Sequence, residues 1–263
     1  MTLRRALIGL GAGVGLSFLI LPIAALFLRG IERQAWAALS GTGSALGDAL
    51  LLSVFTTLVS VMLTVIFGTP LAYALARWRF PLRGLVAILV ELPVVLPPAV
   101  AGLGLLVAFG RRGLFGEALT ALEVQLPFTT AAVVLAQTFV SAPFYIRAAQ
   151  IGFRGVGVDY EDAARVDGAT EWRVFRFITL PLSAHALAAG LILSWARALG
   201  EFGATILFAG SLQGRTQTLP LLIYTILERD IDAALWAGVL LVGMAAIALV
   251  GAGWLARRAE GNE

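Results

Sequence analysis

The sequence predicts an all-α integral membrane protein with six transmembrane helices, organised as a single domain over residues 1–263. Three observations predict it. Hydrophobic residues make up 59% of the chain and charged residues only 13%, a balance far from that of a soluble domain. Six mostly apolar runs reach the roughly 20 residues that a bilayer-spanning helix needs. The arginines gather at the ends of those runs, twelve on one side of the implied layout and six on the other.

The first run, 7–28, follows Arg4 and Arg5 as a signal peptide would. It is too long for such a segment and no small-residue cleavage site follows, so it reads as an uncleaved span. Its Gly9, Gly11, Gly13 and Gly15 set up two G-x-x-x-G spacings, which predict close packing within the bundle. The second run, 49–76, is long enough to tilt or to extend past the lipid. The third, 85–109, contains Pro93, Pro97 and Pro98, which cannot all sit in an unbroken helix. A kink there serves either packing or a flexible pathway wall, because broken helices are tolerated where they are buried or line a cavity. The remaining runs are 128–150, 185–208 and 234–256.

With the N-terminus inside, Arg77, Arg79, Arg83, Arg147, Arg154, Arg165, Arg173, Arg176, Arg257 and Arg258 join Arg4 and Arg5 on the inner side. Arg29, Arg33, Arg111, Arg112, Arg215 and Arg229 fall outside. Both termini, and the loop 151–184, then face the cytoplasm. Trp36, Trp78, Trp172, Trp236 and Trp254 lie near the predicted span ends, as interfacial anchors do.

Composition removes several chemistries. There is no Cys, which excludes disulfides, thiolate zinc sites and thiol nucleophiles. Every one of the 19 basic residues is Arg, so the Lys of a phosphate-binding P-loop is missing. The single His, His185, reads as a packing or hydrogen-bonding residue at a helix end. No metal, resident cofactor or nucleic-acid partner is expected, and one His with no Lys and no Cys argues against an intramembrane enzyme, which needs a nucleophile with a base or a metal. Glu91, Arg197 and Glu201 are ionisable groups within or near spans, where a centred charge costs about 2.5–3.5 kcal/mol and normally finds a partner. Arg197 and Glu201 are four apart on one helix face, which suits either a structural ion pair or a place on a pathway.

The stretch YEDAARVDGATEWRVFRFITLPL, Tyr160 to Leu182, is dense in charge between two apolar runs. Asp159 is a candidate N-cap, with Glu161 and Asp162 in the first turn. Gly168 is a plausible stop. Thr170 then caps a second helix whose apolar side is Trp172, Phe175, Phe177 and Ile178, and Pro181 leads into the fifth span. Two short helices around a glycine hinge make either a rigid knob for a cytoplasmic partner or a solvated connector.

Asp162, Ala163, Ala164, Gly168, Ile178, Leu180 and Pro181 stand at the spacing E-A-A, three residues, G, nine residues, I, one residue, L-P. The loop resembles the EAA motif of permease subunits in binding-protein-dependent ABC importers, with Asp162 in place of Glu and Glu161 adjacent. The resemblance implies a type I, MetI-like permease fold. In it the loop forms a coupling helix on the ATPase, through Glu161, Asp162, Ala163, Ala164, Gly168 and Pro181; which of the two acids fills the first motif position stays open. It further implies a homodimer, two separate subunits that bind ATP, and an extracytoplasmic oxyanion-binding protein. Glu91 to Gly116 resembles the third span and following loop of molybdate permeases. Ser194 to Tyr224 resembles the fifth span and outer loop of molybdate and sulfate permeases.

The implied function is passage of an oxyanion, molybdate first and sulfate or tungstate as alternatives, into the cytoplasm across a prokaryotic inner membrane by ATP-driven alternating access. Glu91, Pro97, Pro98, Arg197 and Glu201 are the candidate pathway or ion-pair residues. An exposed Arg197 attracts an oxyanion, but conduction needs weak binding, so no high-affinity anion site is expected. Gln213 to Thr218, with Arg215, forms either an outer contact for the binding protein or a solvated turn. A stand-alone secondary transporter is the alternative from another class; the inverted repeats common in such folds are not visible here.

Overall fold

The computed structural model describes residues 2–32 and 39–260, and every regular element among them is helical. Arg33 and Trp36, and the side chains of Arg4, Trp254, Arg257 and Arg258, lie outside the described residues. In chain order the helices are α1 (Thr2–Glu32), α2 (Leu39–Arg77), α3 (Arg83–Val95), α4 (Pro98–Phe109), α5 (Gly116–Ala121), α6 (Thr130–Gly155), α7 (Val158–Val166) and α8 (Glu171–Val174). A π-helical turn, Phe175–Thr179, leads from α8 to α9 (Leu180–Leu182), α10 (Ala184–Leu199), α11 (Gly203–Phe208), α12 (Leu219–Leu227) and α13 (Ile231–Glu260).

Four helical stretches are long and apolar enough to cross a bilayer alone: Leu7–Ile31, Ser44–Arg77, Thr130–Gly155 and Ile231–Gly251. Two bent pairs bring the number to six if each is one span. The expected third span is one of them, and its expected kink is a bend of 117° between α3 and α4. The cause is local. Leu96 and Pro97 each precede a proline, whose ring drives the preceding residue out of the helical region. Their ψ angles are both 134°. Two consecutive extended residues end one helix, and Pro98 at the first position starts the next without missing an N–H. Pro93, by contrast, sits inside α3. The expected fifth span, 185–208, is also divided: α10 stops at Leu199, and α11 starts at Gly203.

The core is built around α6, the most buried of the four spans. Its Ala132, Val133, Ala136 and Val140 pack with Ala101 and Leu105 of α4 and with Ala204 and Phe208 of α11. One turn further on, Tyr145, Ile146, Ala149 and Phe153 meet Ala72 and Leu75 of α2 and Leu187 of α10. Helices in lipid gain little from apolar burial against each other, so close backbone approach and polar bridges carry the packing. A Cβ on Gly68 would come within 3.0 Å of Ile146, and one on Gly190 within 2.7 Å of the Ala148 Cβ. Ser53, Thr56, Thr57, Ser60 and Thr64 form a buried polar stripe along α2. The Ser53 hydroxyl accepts the Leu219 N–H at 2.7 Å, anchoring the start of α12, and Thr138 donates to Ser60 at 3.0 Å.

The glycines of α1 do not fill the expected role. A Cβ at Gly9, Gly11, Gly13 or Gly15 would meet nothing within 4 Å, and the apolar window of α1 has no buried residue. Contact with the rest of the chain comes at the other end, where Leu26 and Gly30 face Gly238 and Val239 of α13. Small-residue spacing marks a face suited to close approach but does not say which helix comes.

Candidate functional site

The charged loop folds into a compact knob. Gly157, in extended backbone, is the N-cap of α7, so the helix begins two residues earlier than a cap at Asp159 requires. Asp159 and Glu161 instead occupy the first turn, where the helix dipole favours acids. At the far end Gly168 takes φ +87°, a left-handed conformation that L side chains resist. This lets the Gly168 N–H reach Arg165 O at 3.0 Å and the Ala169 N–H reach Ala164 O at 2.9 Å, closing the helix. Thr170 is the N-cap of α8, its hydroxyl accepting the Arg173 N–H at 3.4 Å. Pro181 lies in α9, just before a 71° bend at Ser183 that leads into α10.

Glu161 and Asp162 part company. The Glu161 residue is 2% exposed and turns inward. Its Oε1 accepts from the Arg77 guanidinium at 2.7 Å and from the Thr179 hydroxyl at 2.8 Å. Arg77 also donates to Val156 O at 2.9 Å. One carboxylate thus ties α7 to the last residue of α2 and to the π-helical turn. The aromatic rings behind it continue the connection: Tyr73 of α2 stands edge-on to Phe153 of α6 at 5.6 Å and to Phe175 at 5.1 Å. Asp162 points outward and pairs with Arg165 at 2.7 Å. Arg165 reaches on to Glu171 at 2.8 and 3.1 Å, and its hydrogen bonds hold that exposed carboxyl below the usual carboxylate range. The first position of the motif spacing is therefore an accessible acid, and its neighbour is a buried one.

The outward face of α7 is apolar for a charged loop. Tyr160, Ala163 and Val166 follow one another at helical spacing, and Val166 is 87% exposed. Ala164 is half-buried and Gly168 exposed.

The membrane-side candidates fall into two groups. Arg197 and Glu201 form an ion pair at 2.7 Å with Glu201 1% exposed. The other Glu201 oxygen accepts the Ala204 N–H at 2.8 Å, so this carboxylate fastens the end of α10 to the start of α11. Next to it the two broken segments meet. A Cβ on Gly203 would lie 2.5 Å from the Pro98 Cβ, and one on Gly102 would lie 2.8 Å from Ala204 O. Pro97 and Pro98 are thereby brought to the α10–α11 break. Glu91 is elsewhere, 3.5 Å from Arg147 with both side chains more than half exposed, a contact worth about 0–1 kcal/mol. His185 is exposed in the first turn of α10. The segment Gln213 to Thr218 is not a solvated turn throughout: Gln213 to Arg215 are exposed, but Thr216, Gln217 and Thr218 are buried. Among the described residues no cluster of His, Asp and Glu is arranged to hold a metal.

Comparison with known proteins bears on the family and the fold. Residues 65–260 match the family described as binding-protein-dependent transport system inner membrane component. A molybdenum transport system permease protein of Mycobacterium bovis is 45% identical over 244 residues, covering 93% of this chain and 92% of the relative. A sulfate transport system permease protein of Escherichia coli is 35% identical over 240 residues, covering 88% and 86%. Among solved structures, a bacterial ABC transporter involved in importing the acidic polysaccharide alginate superposes with a TM-score of 0.77 at 17% identity, covering 97% of this chain and 95% of that one. That likeness speaks for the fold. The chain belongs to the inner-membrane permease components of binding-protein-dependent transport systems, and it has the all-helical fold of ABC importer permeases.

Proposed function

We propose that the chain is the permease of an importer that carries molybdate into the cytoplasm, working as a homodimer with two ATP-binding subunits and an extracytoplasmic oxyanion-binding protein. Both termini and α7 face the cytoplasm. The observation that carries the docking role is the two-sidedness of α7: Glu161 is locked to Arg77 and Thr179, while Tyr160, Ala163 and Val166 stand exposed. A solvated connector needs no such clasp, and exposed apolar groups on a rigid support mark contact surfaces. Asp162, Ala163 and Ala164 meet the ATPase. Glu161, Gly168 and Pro181 shape and hold what meets it. The chain supplies no cofactor; ATP is bound and hydrolysed by the partner.

Movement of α7 passes through the Glu161 clasp to α2 and through Pro181 to α10. The α4–α11 contact at Pro97, Pro98 and Gly203 forms the moving wall, and the Arg197–Glu201 pair holds its bend. Neutralised in this way, Arg197 is a poor trap for an anion in transit, as a conducting path requires. Molybdate is favoured over sulfate because the molybdenum-transport relative is closer in sequence than the sulfate one. The test is uptake into proteoliposomes holding the permease, its ATPase and the binding protein. ATP-dependent uptake of labelled molybdate, displaced by excess molybdate but not by excess sulfate, is expected. Displacement by sulfate at equal concentration assigns the chain to sulfate instead.

A further inference from the structure

The side of α2 turned away from the bundle carries a continuous apolar stripe. Phe55, Leu58, Met62, Ile66 and Phe67 are each more than half exposed. Towards the end of the helix this stripe runs into a cleft of about 450 Å³ walled by Pro70, Tyr73, Trp78, Trp172 and Phe175. A second cleft, of about 480 Å³, shares Tyr73, Trp78 and Glu171 with the first, and is lined by Arg77, Arg79, Arg83 and Arg165. Together they form one groove, apolar at one end and basic at the other.

The charges in this groove do not cancel. Its two carboxylates are taken, Glu161 by Arg77 and Glu171 by Arg165. Among the described residues Arg79 and Arg83 have no carboxylate within ion-pair distance. Arg83 is nevertheless held in place, donating to Leu75 O through two nitrogens at 3.1 and 2.7 Å, which fixes the guanidinium without neutralising it. Trp78 lines both clefts and so stands where the apolar and basic ends join, with Trp172 on the apolar side; both are exposed, and tryptophan takes such a position at a membrane surface.

We propose that this groove binds one anionic phospholipid. An acyl chain follows the Ile66–Phe67–Pro70 stripe into the aromatic cleft, and the phosphate lies between Arg79 and Arg83. A soluble phosphate shares the headgroup chemistry but leaves the aromatic cleft empty, so the two ends of the groove together select a lipid. Trp172 and Phe175 belong to the charged loop, so the bound lipid splints that loop against α2. The proposal rests on this end of α2 lying at a membrane surface and is independent of which anion the permease moves.

The test is native mass spectrometry of the complete transporter, counting retained phospholipids. Wild type is expected to keep phosphatidylglycerol in preference to phosphatidylethanolamine. Arg79→Gln with Arg83→Gln is expected to weaken that retention roughly thirty-fold, at the scale of about 1 kcal/mol per basic residue near a membrane surface. Trp172→Ala, which leaves both arginines, is expected to weaken it as well. Arg111→Gln with Arg112→Gln, in the loop after α4, is expected to change nothing, and excess glycerol phosphate is not expected to displace the lipid. Equal retention of the two lipids by wild type overturns the proposal. So does undiminished retention in the Arg79 and Arg83 variant, or displacement by glycerol phosphate. The readout is bound lipid, so a transporter that fails to move molybdate still gives an answer.

Discussion

Replacing Glu161 by Ala is expected to abolish ATP-driven uptake while the permease still reaches the membrane. The variant removes the one acceptor shared by Arg77 and Thr179, at 2.7 and 2.8 Å, and leaves Arg77 only 14% exposed with no counter-charge. Breaking one partner of a buried pair costs about 3–5 kcal/mol locally, enough to release α7 from α2. Glu161→Gln keeps acceptors for both donors and loses only the charge, so its uptake is expected to fall between wild type and Glu161→Ala. Arg77→Ala is expected to lower uptake in the same direction but less far, because Glu161, 3% exposed, keeps the Thr179 hydroxyl and a longer contact to Arg165 at 3.6 Å. Initial uptake rates, set against the amount of permease in the membrane, check the order. Glu161→Ala with wild-type uptake contradicts the idea that the knob must be rigidly held. An Asp162→Ala variant, by contrast, loses only an exposed contact to Arg165 and is expected to remain folded.

The second large effect is expected at the α10–α11 break, and it is asymmetric. Arg197→Ala leaves Glu201, 1% exposed, as an uncompensated buried carboxylate, at a cost of about 3–5 kcal/mol. Glu201→Gln leaves Arg197, which is 30% exposed where Glu201 is 1% exposed, and keeps an oxygen for the Ala204 N–H. Its cost is expected to be smaller, about 1–3 kcal/mol, the range for a lost charged hydrogen bond. Thermal unfolding of the purified permease, with both variants in the same detergent, measures the difference. Equal losses contradict the asymmetry, and losses near zero in both variants contradict a pair that holds the bend.

How much of this was legible in the chain depends on how local each feature is. The knob was legible because its parts are neighbours in sequence: Gly168 and Thr170 stop and start helices by their own chemistry, and the motif spacing from Asp162 to Pro181 is short. The split between Glu161 and Asp162 was not. Adjacent helical residues point about 100° apart, so one must turn inward, but which one depends on Arg77, 84 residues away. Arg77 itself read only as a topology marker, and nothing in the sequence singles out Thr179. Pro97 and Pro98 announced a break, whereas the 117° angle depends also on the close fit of Pro98 to Gly203 and of Gly102 to Ala204. The glycines of α1 suggested contact within the bundle and found none there, because a repeating small residue describes one surface and not its partner.

The most direct test uses the fact that the chain has no Cys, so a single introduced thiol is unique in it. Val166→Cys places that thiol at the end of α7, on a residue that is 87% exposed. In the assembled transporter it is expected to cross-link to the ATPase subunit, and in intact cells to be shielded from a maleimide that cannot cross the membrane. Labelling of that thiol from outside the cell, or its failure to cross-link in a complex that still hydrolyses ATP and moves molybdate, contradicts a permease driven through this loop.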